Sequence, residues 1–211
     1  MRTFGEAVAQ LQGAEAGGFN FSPAQAALLL NEGVERFAAR SEWIRAERNL
    51  GPTVAGQEEY SLDDEIVKVK GLEIAGVPYT AVDVLTVWQY KQFGLPPQMA
   101  GAYAERFNED GKIRAIGLLP VPEEDGQPIL SLAVLLPGEL TAEDELPFPL
   151  EFRRGPLDYA KGIAYEDVDE NPESGRFFIE RANAKADELR ELGNSRLGSG
   201  PYRIPVATVR R

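Results

Sequence analysis

The chain has neither cysteine nor histidine among its 211 residues, and this absence narrows its possible chemistry. Without cysteine it has no disulfides, no thiolate zinc sites and no cysteine nucleophile. Without histidine it lacks the commonest general base and the commonest ligand of transition metals. An enzyme of this composition would depend on carboxylates, lysine, serine or tyrosine.

Long apolar runs are also missing. The longest run, 129–137, is broken by Ser131 and ended by Pro137, well short of the roughly 20 residues that span a bilayer. The first residues, MRTFGEAVAQLQ, carry an acid and two glutamines where a signal peptide has an uninterrupted apolar core. We therefore expect a protein that makes no membrane contact and is assembled in the cytoplasm.

Charge is abundant but unevenly distributed. The net charge is −12, from 22 Lys and Arg against 34 Asp and Glu. Residues 194–211 contain four arginines and no acid, which leaves 18 basic and 34 acidic residues elsewhere, a charge of −16. A body this acidic does not bind nucleic acid by the usual neutralisation of phosphates. Solubility through self-repulsion is the simplest role for this charge.

Acidic runs are the remaining places for chemistry. The runs Asp63–Glu65 and Glu123–Asp125 carry oxygen ligands, but neither has the spacing of an EF-hand loop. With 34 acids in the chain, pairs suited to glycoside hydrolysis arise by chance. The Gly-rich stretches do not lie between a strand and a helix, as a phosphate cradle requires. We therefore predict no catalytic residue, no cofactor and no metal, and a structural protein instead of an enzyme.

The order of apolar patterns predicts an α+β fold. Ser22 offers an N-cap and Pro23 a first helical position, and the apolar residues that follow recur every three or four positions. This stripe consists of Ala27, Leu30, Val34 and Phe37. The predicted architecture is a four-helix bundle, formed by 1–43 and 147–193, which is split by a β-rich insertion at 44–146.

The insertion is predicted to be an antiparallel, sandwich-like sheet with one short helix. The stretch 66–70 alternates apolar and charged residues, and Gly71 then shifts the phase, which indicates a bulge. Asp83 can cap a short helix that ends at Gly94. The tetrapeptide NEDG at 108–111 predicts a hairpin between two further strands.

Aromatic residues cluster around the short predicted helix. Trp88 and Tyr90 lie on it, with Phe93 and Tyr103 nearby. Such residues fill a core or a subunit interface, although a ligand-binding surface is an alternative. In the second half of the bundle, Gly155-Pro156 is predicted to kink or restart a helix, and Gly193 to end the last one.

The chain ends in a predicted extended basic arm, residues 194–211. Its distinctive residues are Tyr202, Arg203, Ile204, Val206, Val209, Arg210 and Arg211. Alternating apolar residues of this kind suit a segment that adds a strand to a neighbouring subunit or lies in a groove on it. A frayed terminus is the alternative.

Six short motifs occur in order along residues 25–192. They are Trp43; Tyr60, Leu62 and Glu65; Pro120 and Pro122; Leu132, Val134 and Pro137; Leu146 and Pro147; and Tyr159 and Ala160. In this order the chain resembles the head-tail adaptor (connector) proteins of tailed bacteriophages and prophages. The chain departs from that family at Gly155-Pro156, where the family's helix runs on, and in the residues after Gly193.

The resemblance implies a virion protein that forms a ring, commonly of twelve copies, beneath the portal protein at the capsid vertex. Helices pack between subunits, strands face a tail or neck-completion protein, and the genome passes through the channel without specific binding. The acids expected to line that channel are Glu143, Asp144, Glu145, Asp167, Asp169 and Glu170. Two alternatives are a non-viral ligand- or carbohydrate-binding β module on a helical scaffold, and another neck or tail-completion protein.

Overall fold

The computed structural model describes residues 1, 3–13, 20–96, 99–167 and 171–197. These residues form five α-helices and one curled seven-stranded sheet, which confirms the predicted α+β class. The chain divides into two compact units. The helical unit combines Met1–Ile44 with the chain from Leu136, and the β unit is Arg45–Leu135.

The elements have the following bounds. The helices are α1 (Phe4–Gln12), α2 (Pro23–Ser41), α3 (Val84–Phe93), α4 (Arg154–Asp167) and α5 (Pro172–Leu197). The strands are β1 (Arg45–Pro52), β2 (Glu59–Ser61), β3 (Ile66–Ile74), β4 (Val77–Ala81), β5 (Ala102–Phe107), β6 (Ile113–Leu119) and β7 (Pro128–Leu135). Among the described helices, none is both long enough and apolar enough to cross a membrane.

The predicted start of α2 is confirmed. The Ser22 hydroxyl accepts a hydrogen bond from the backbone N–H of Gln25 at 3.3 Å, and the Gln25 side chain accepts one from the backbone N–H of Ser22 at 3.0 Å. This reciprocal capping box satisfies two N–H groups that a helix start leaves unpaired. Farther along α2, the side chains of Leu30, Val34 and Phe37 lie in the core of the helical unit.

Helix α4 is the central helix of this unit. Every residue from Gly155 to Ala164 is buried, and α4 packs against α2 on one side and α5 on another. Small residues permit the close approach. A Cβ on Gly33 of α2 would overlap the Pro156 carbonyl, and a Cβ on Gly162 would lie 3.1 Å from the carbonyl oxygen of Gly175 on α5.

The two predicted interruptions in the second helical half have different outcomes. At Gly155-Pro156 the chain restarts, as predicted: one turn of 3-10 helix covers Leu150–Phe152, and α4 then places Pro156 in its first turn, where proline is tolerated. The prediction that Gly193 ends α5 is wrong, because α5 continues to Leu197. Leu189 and Leu192 pack on the core just before this glycine, and that burial offsets the roughly 1 kcal/mol cost of glycine in a helix.

The strands of the β unit follow the order β1-β7-β3-β4-β5-β6-β2. The predicted antiparallel, sandwich-like region is instead one sheet in which a single pair is parallel, because β4 and β5 pair through Thr80 with Ala102 and Ala81 with Tyr103. Parallel neighbours need a crossover connection, and α3 supplies it between these strands. The other pairs are antiparallel, including the predicted hairpin β5–β6.

Strand β3 pairs irregularly with β7. Its register against β7 shifts between Val69 and Gly71, which confirms the predicted bulge. At this point the Tyr103 hydroxyl of β5 donates to the Val69 carbonyl at 3.2 Å, and the Val69 N–H donates to the Glu105 carboxylate at 2.7 Å. Side chains of β5 thus satisfy backbone groups of β3 that a bulge leaves outside the ladder.

Candidate assembly surfaces

Helix α3 carries the most prominent apolar surface among the described residues. Leu85 is 76 % exposed, Trp88 59 % and Phe93 82 %, whereas only Val87 of this helix is buried. We call Leu85, Trp88 and Phe93, together with the 48 % exposed Val84, the α3 surface. Several exposed apolar side chains on one short helix, a tryptophan among them, are typical of a protein contact.

The amino-acid order of α3 explains this exposure. Val84, Leu85, Val87 and Trp88 follow one another closely, and residues one apart on a helix point about 100° away from each other. One sheet therefore cannot cover all four, and the Val87 side is the one that packs. At the start of α3, Asp83 accepts from the backbone N–H and the hydroxyl of Thr86, both at 2.8 Å. These bonds lower the pKa of Asp83.

The predicted aromatic cluster separates into two groups. Tyr103 is buried in the β unit, and burial, with a smaller effect of Glu105, raises its pKa to about 12. Trp88 and Phe93 are exposed and do not belong to the core. Trp43 packs, partly buried, against the helical core. The two clefts that adjoin Arg154 contain no tryptophan among their lining residues.

The acidic run Glu143–Glu145 is exposed and has a structural role in the helical unit. The Asp144 carboxylate accepts from the backbone N–H and the hydroxyl of Thr141, both at 2.7 Å, and the pKa of Asp144 is lowered by these bonds. Glu145 pairs with Arg153 at 3.0 Å. The backbone carbonyl of Asp144 accepts a hydrogen bond from the backbone N–H of Phe4 at 2.9 Å. This run therefore holds the start of α1.

The other predicted channel acids and the arm are only partly described. Asp167 is exposed at the end of α4. Asp169 and Glu170 lie outside the described residues. All seven arm residues also lie outside them: Tyr202, Arg203, Ile204, Val206, Val209, Arg210 and Arg211.

A polar contact that sequence patterns do not predict joins α4 to α5. The Arg181 guanidinium donates twice to the Asp158 carboxylate, once through Nε at 2.7 Å, and Asp158 is 2 % exposed. Arg181 also lies 5.0 Å from the ring centroid of Phe178, which stacks on Tyr165. No local signal marks the pair, because its members are 23 positions apart on different helices.

A cleft of about 530 Å³ opens at the start of α4. Its lining residues are Met1, Gln10, Leu150, Arg153, Arg154, Leu157 and Lys161. Three of them are cations and none is an acid, although the whole chain carries −12. We call this feature the basic cleft.

The acidic runs do not form a metal centre in the described part of the chain. No group of three or more acidic side chains there has a geometry that could hold a metal ion. Glu65 pairs with Arg48 at 3.1 Å. In the turn between β6 and β7, Asp125 accepts from the Ala55 N–H at 2.6 Å and Glu124 from the Gln127 side chain at 3.0 Å.

Comparison with known proteins identifies one matching family model. It is described as SU10 adaptor protein and matches residues 3–205, so it extends over both units. No curated protein matches the chain.

Proposed function

Because the chain belongs to the SU10 adaptor protein family, a family of phage structural adaptor proteins, we propose that it forms the head-tail adaptor ring of a bacteriophage virion. The ring, of twelve copies, binds beneath the portal protein and joins the capsid vertex to the tail or to a neck-completion protein. The observation that carries this proposal is the family match over residues 3–205.

The α3 surface supports a role in assembly. A tryptophan, a phenylalanine and a leucine that are all more than half exposed favour burial against another protein, at about 25 cal/mol per Å² of apolar surface removed from water. In this proposal the strands and α3 face the tail-side component. The helices α1, α2, α4 and α5 act as one four-helix bundle between neighbouring subunits.

Charge supports passage of the genome without specific binding. A chain of net charge −12 repels the phosphate backbone over about 8 Å at physiological salt. In the proposed ring Glu143, Asp144, Glu145 and Asp167 contribute to a negative channel, together with Asp169 and Glu170. The exposure of the first four supports this assignment. Residues 194–197 belong to α5, so the arm is shortened to 198–211, and it binds the portal protein or the neighbouring subunit.

Electron microscopy of the purified protein, alone and mixed with its portal protein, tests the proposal. We expect discrete rings of twelve copies, formed either by the protein alone or only on the portal. A protein that stays monomeric and does not bind the portal contradicts the proposal.

Truncation after Leu197 tests the arm separately. If residues 198–211 dock onto a partner, the truncated protein binds the portal or assembles more weakly. If the truncated protein docks as the full chain does, the ring proposal stands, and the alternative interpretation of the arm as a frayed terminus is supported.

A further inference from the structure

The basic cleft offers an accessible cation beside apolar side chains. The Arg154 side chain is 71 % exposed, and its nearest carboxylate oxygen, on Asp158, is 3.8 Å away and already bound by Arg181. Leu150 at the cleft edge is 63 % exposed. Arg153 of the cleft is paired with Glu145 and Lys161 is buried, so Arg154 supplies the accessible positive charge. An exposed cation beside apolar side chains fits an acidic segment of another molecule.

An acidic segment that matches this charge lies on the same chain. Glu123, Glu124 and Asp125 form an exposed acidic turn between β6 and β7, and no cation in the described part of the chain pairs with any of them. Two other acidic runs each have one ion-paired member. Glu65 pairs with Arg48, and Glu145 pairs with Arg153.

Hydrogen bonds also order the acidic turn. The Thr53 hydroxyl donates to the Glu124 carbonyl at 2.8 Å, and the Ala55 N–H donates to the Asp125 carboxylate at 2.6 Å. A segment that is already ordered loses little conformational entropy when it binds. Glu123, whose carboxylate takes part in none of these bonds, is left to meet a partner.

We propose that the basic cleft of one copy binds the acidic turn of a second copy. The contact is heterologous, because the cleft and the turn are different patches of the chain. Repeated heterologous contacts close into rings when the rotation between copies allows it, whereas a two-fold contact stops at a dimer. This inference rests on the proposed ring and names one contact that builds it.

Opposite charge reversals test the contact. Glu123→Lys and Arg154→Glu each place like charges across the interface, and each is expected to reduce ring formation about tenfold or more at 0.15 M salt. Ring formation is measured by sedimentation velocity and electron microscopy, with the portal protein present if the wild type needs it. Circular dichroism checks that each variant is folded.

Mixing the two variants gives the sharpest outcome. In a ring where the two variants alternate, the intact cleft of each Glu123→Lys copy meets the intact turn of one Arg154→Glu neighbour. Its reversed, positive turn meets the reversed, negative cleft of the other neighbour. Every contact is then complementary, and we expect an equimolar mixture to recover assembly to within about threefold of wild type. A contact within one chain would not be rescued by mixing.

Matched controls separate this contact from a general effect of charge. Asp64→Lys and Arg114→Glu change the net charge by the same amounts at exposed positions of the β unit outside the cleft and the turn, and both are expected to assemble like wild type. Equal losses in these controls, or a mixture that does not recover, would overturn the proposal.

Two further outcomes distinguish this contact from the proposed function. A wild-type protein that forms no ring, with or without portal, refutes the ring and this contact together. If each single variant, Glu123→Lys or Arg154→Glu, forms the ring normally, the contact alone is refuted. If Arg154→Glu leaves the ring intact but weakens binding to duplex DNA, the cleft recognises phosphate and the proposal is wrong.

Discussion

Helices α3 and α4 make opposite use of their side chains. Helix α3 contains Val84, Leu85, Trp88 and Phe93 and leaves all four largely exposed. Helix α4 contains Asp158 and Lys161 and buries both. Burial therefore does not follow the polarity of the side chains on these helices.

Small residues explain the difference. Gly155, Gly162 and Ala160 let α2 and α5 approach α4 closely, and the approaching helices bring a partner for the charged Asp158. Helix α3 has no such residues, and it packs on the sheet mainly through Val87. The comparison indicates that the polar groups of α4 stabilise the fold, whereas the apolar groups of α3 are available for binding. Four experiments follow from it, in order of decreasing effect on stability.

Phe37→Ala should cause the largest loss. Phe37 of α2 is fully buried and adjoins Gly155 of α4. Its ring centroid lies 4.9 Å from that of Phe148. Its removal leaves a cavity beside Gly155 and should lower the free energy of unfolding of the helical unit by about 3–5 kcal/mol. Chemical denaturation measures the change. Phe107→Ala, at a 58 % exposed phenylalanine of the β unit, is the control, and equal losses for both variants would refute the contrast.

Arg181→Ala should cost less, about 2–3 kcal/mol. It leaves the Asp158 carboxylate buried with Arg154 at 3.8 Å as its remaining cation, and an uncompensated buried charge is costly. The Arg181 side chain is 36 % exposed, which keeps the loss below that of a fully buried pair. Lys185→Ala removes an exposed pair with Glu188 and should cost under about 1 kcal/mol. A smaller effect at Arg181 than at Lys185 would show that the buried pair does not stabilise α4.

Acid should loosen α3 before α4. The pKa of Asp83 is lowered by its hydrogen bonds from Thr86, so the cap is fully formed above the unfolded pKa of about 3.9 and is lost as pH falls through the lower folded pKa. Hydrogen exchange of α3 amides, corrected for the intrinsic pH dependence, should therefore accelerate below about pH 4 relative to that of α4. Asp83→Asn, which keeps a capping oxygen without a titrating group, should remove this pH dependence. A parallel response of both helices would contradict the expectation.

Leu85→Ala should have the smallest effect on stability, within about 0.5 kcal/mol, because Leu85 is 76 % exposed. If the α3 surface binds a partner, the same variant lowers assembly on the tail-side component. Leu28→Ala on α2 is a matched control, since Leu28 is a 72 % exposed helical leucine outside α3. If Leu85→Ala and Leu28→Ala bind the tail-side component equally well, the α3 surface has no role in assembly.

Local signals in the sequence predict the element starts and turns well. Ser22-Pro23, Asp83 and Gly71 each act within a few positions, through capping or a change of phase, and the structure has the two helix starts and the bulge there. Strand β1, in contrast, has no apolar alternation: RAERNLGP is largely polar, and it forms a strand because β7 supplies the ladder. Glycine at 193 is a stop signal by itself, and only the packing of Leu189 and Leu192 overrides it.

The candidate surfaces are harder to predict because they depend on what the fold leaves uncovered. The crowded apolar residues of α3 do carry a signal, since Val84, Leu85, Val87 and Trp88 cannot all face one sheet. The basic cleft has no signal in the sequence. Its cations at 153, 154 and 161 share the cleft with Gln10 of α1, which is far from them along the chain. The pair of Arg181 with Asp158 likewise becomes visible only when α4 and α5 lie side by side.

The parallel pairing of β4 and β5 has an evolutionary consequence. Both strands run in the same direction, so the chain must leave the sheet after Ala81 and return at Ala102, and α3 lies on that excursion. Insertions, deletions and substitutions within this excursion do not alter the ladder hydrogen bonds on either side of it. Changes in this excursion can therefore alter the α3 surface without altering the strand pairing of the sheet.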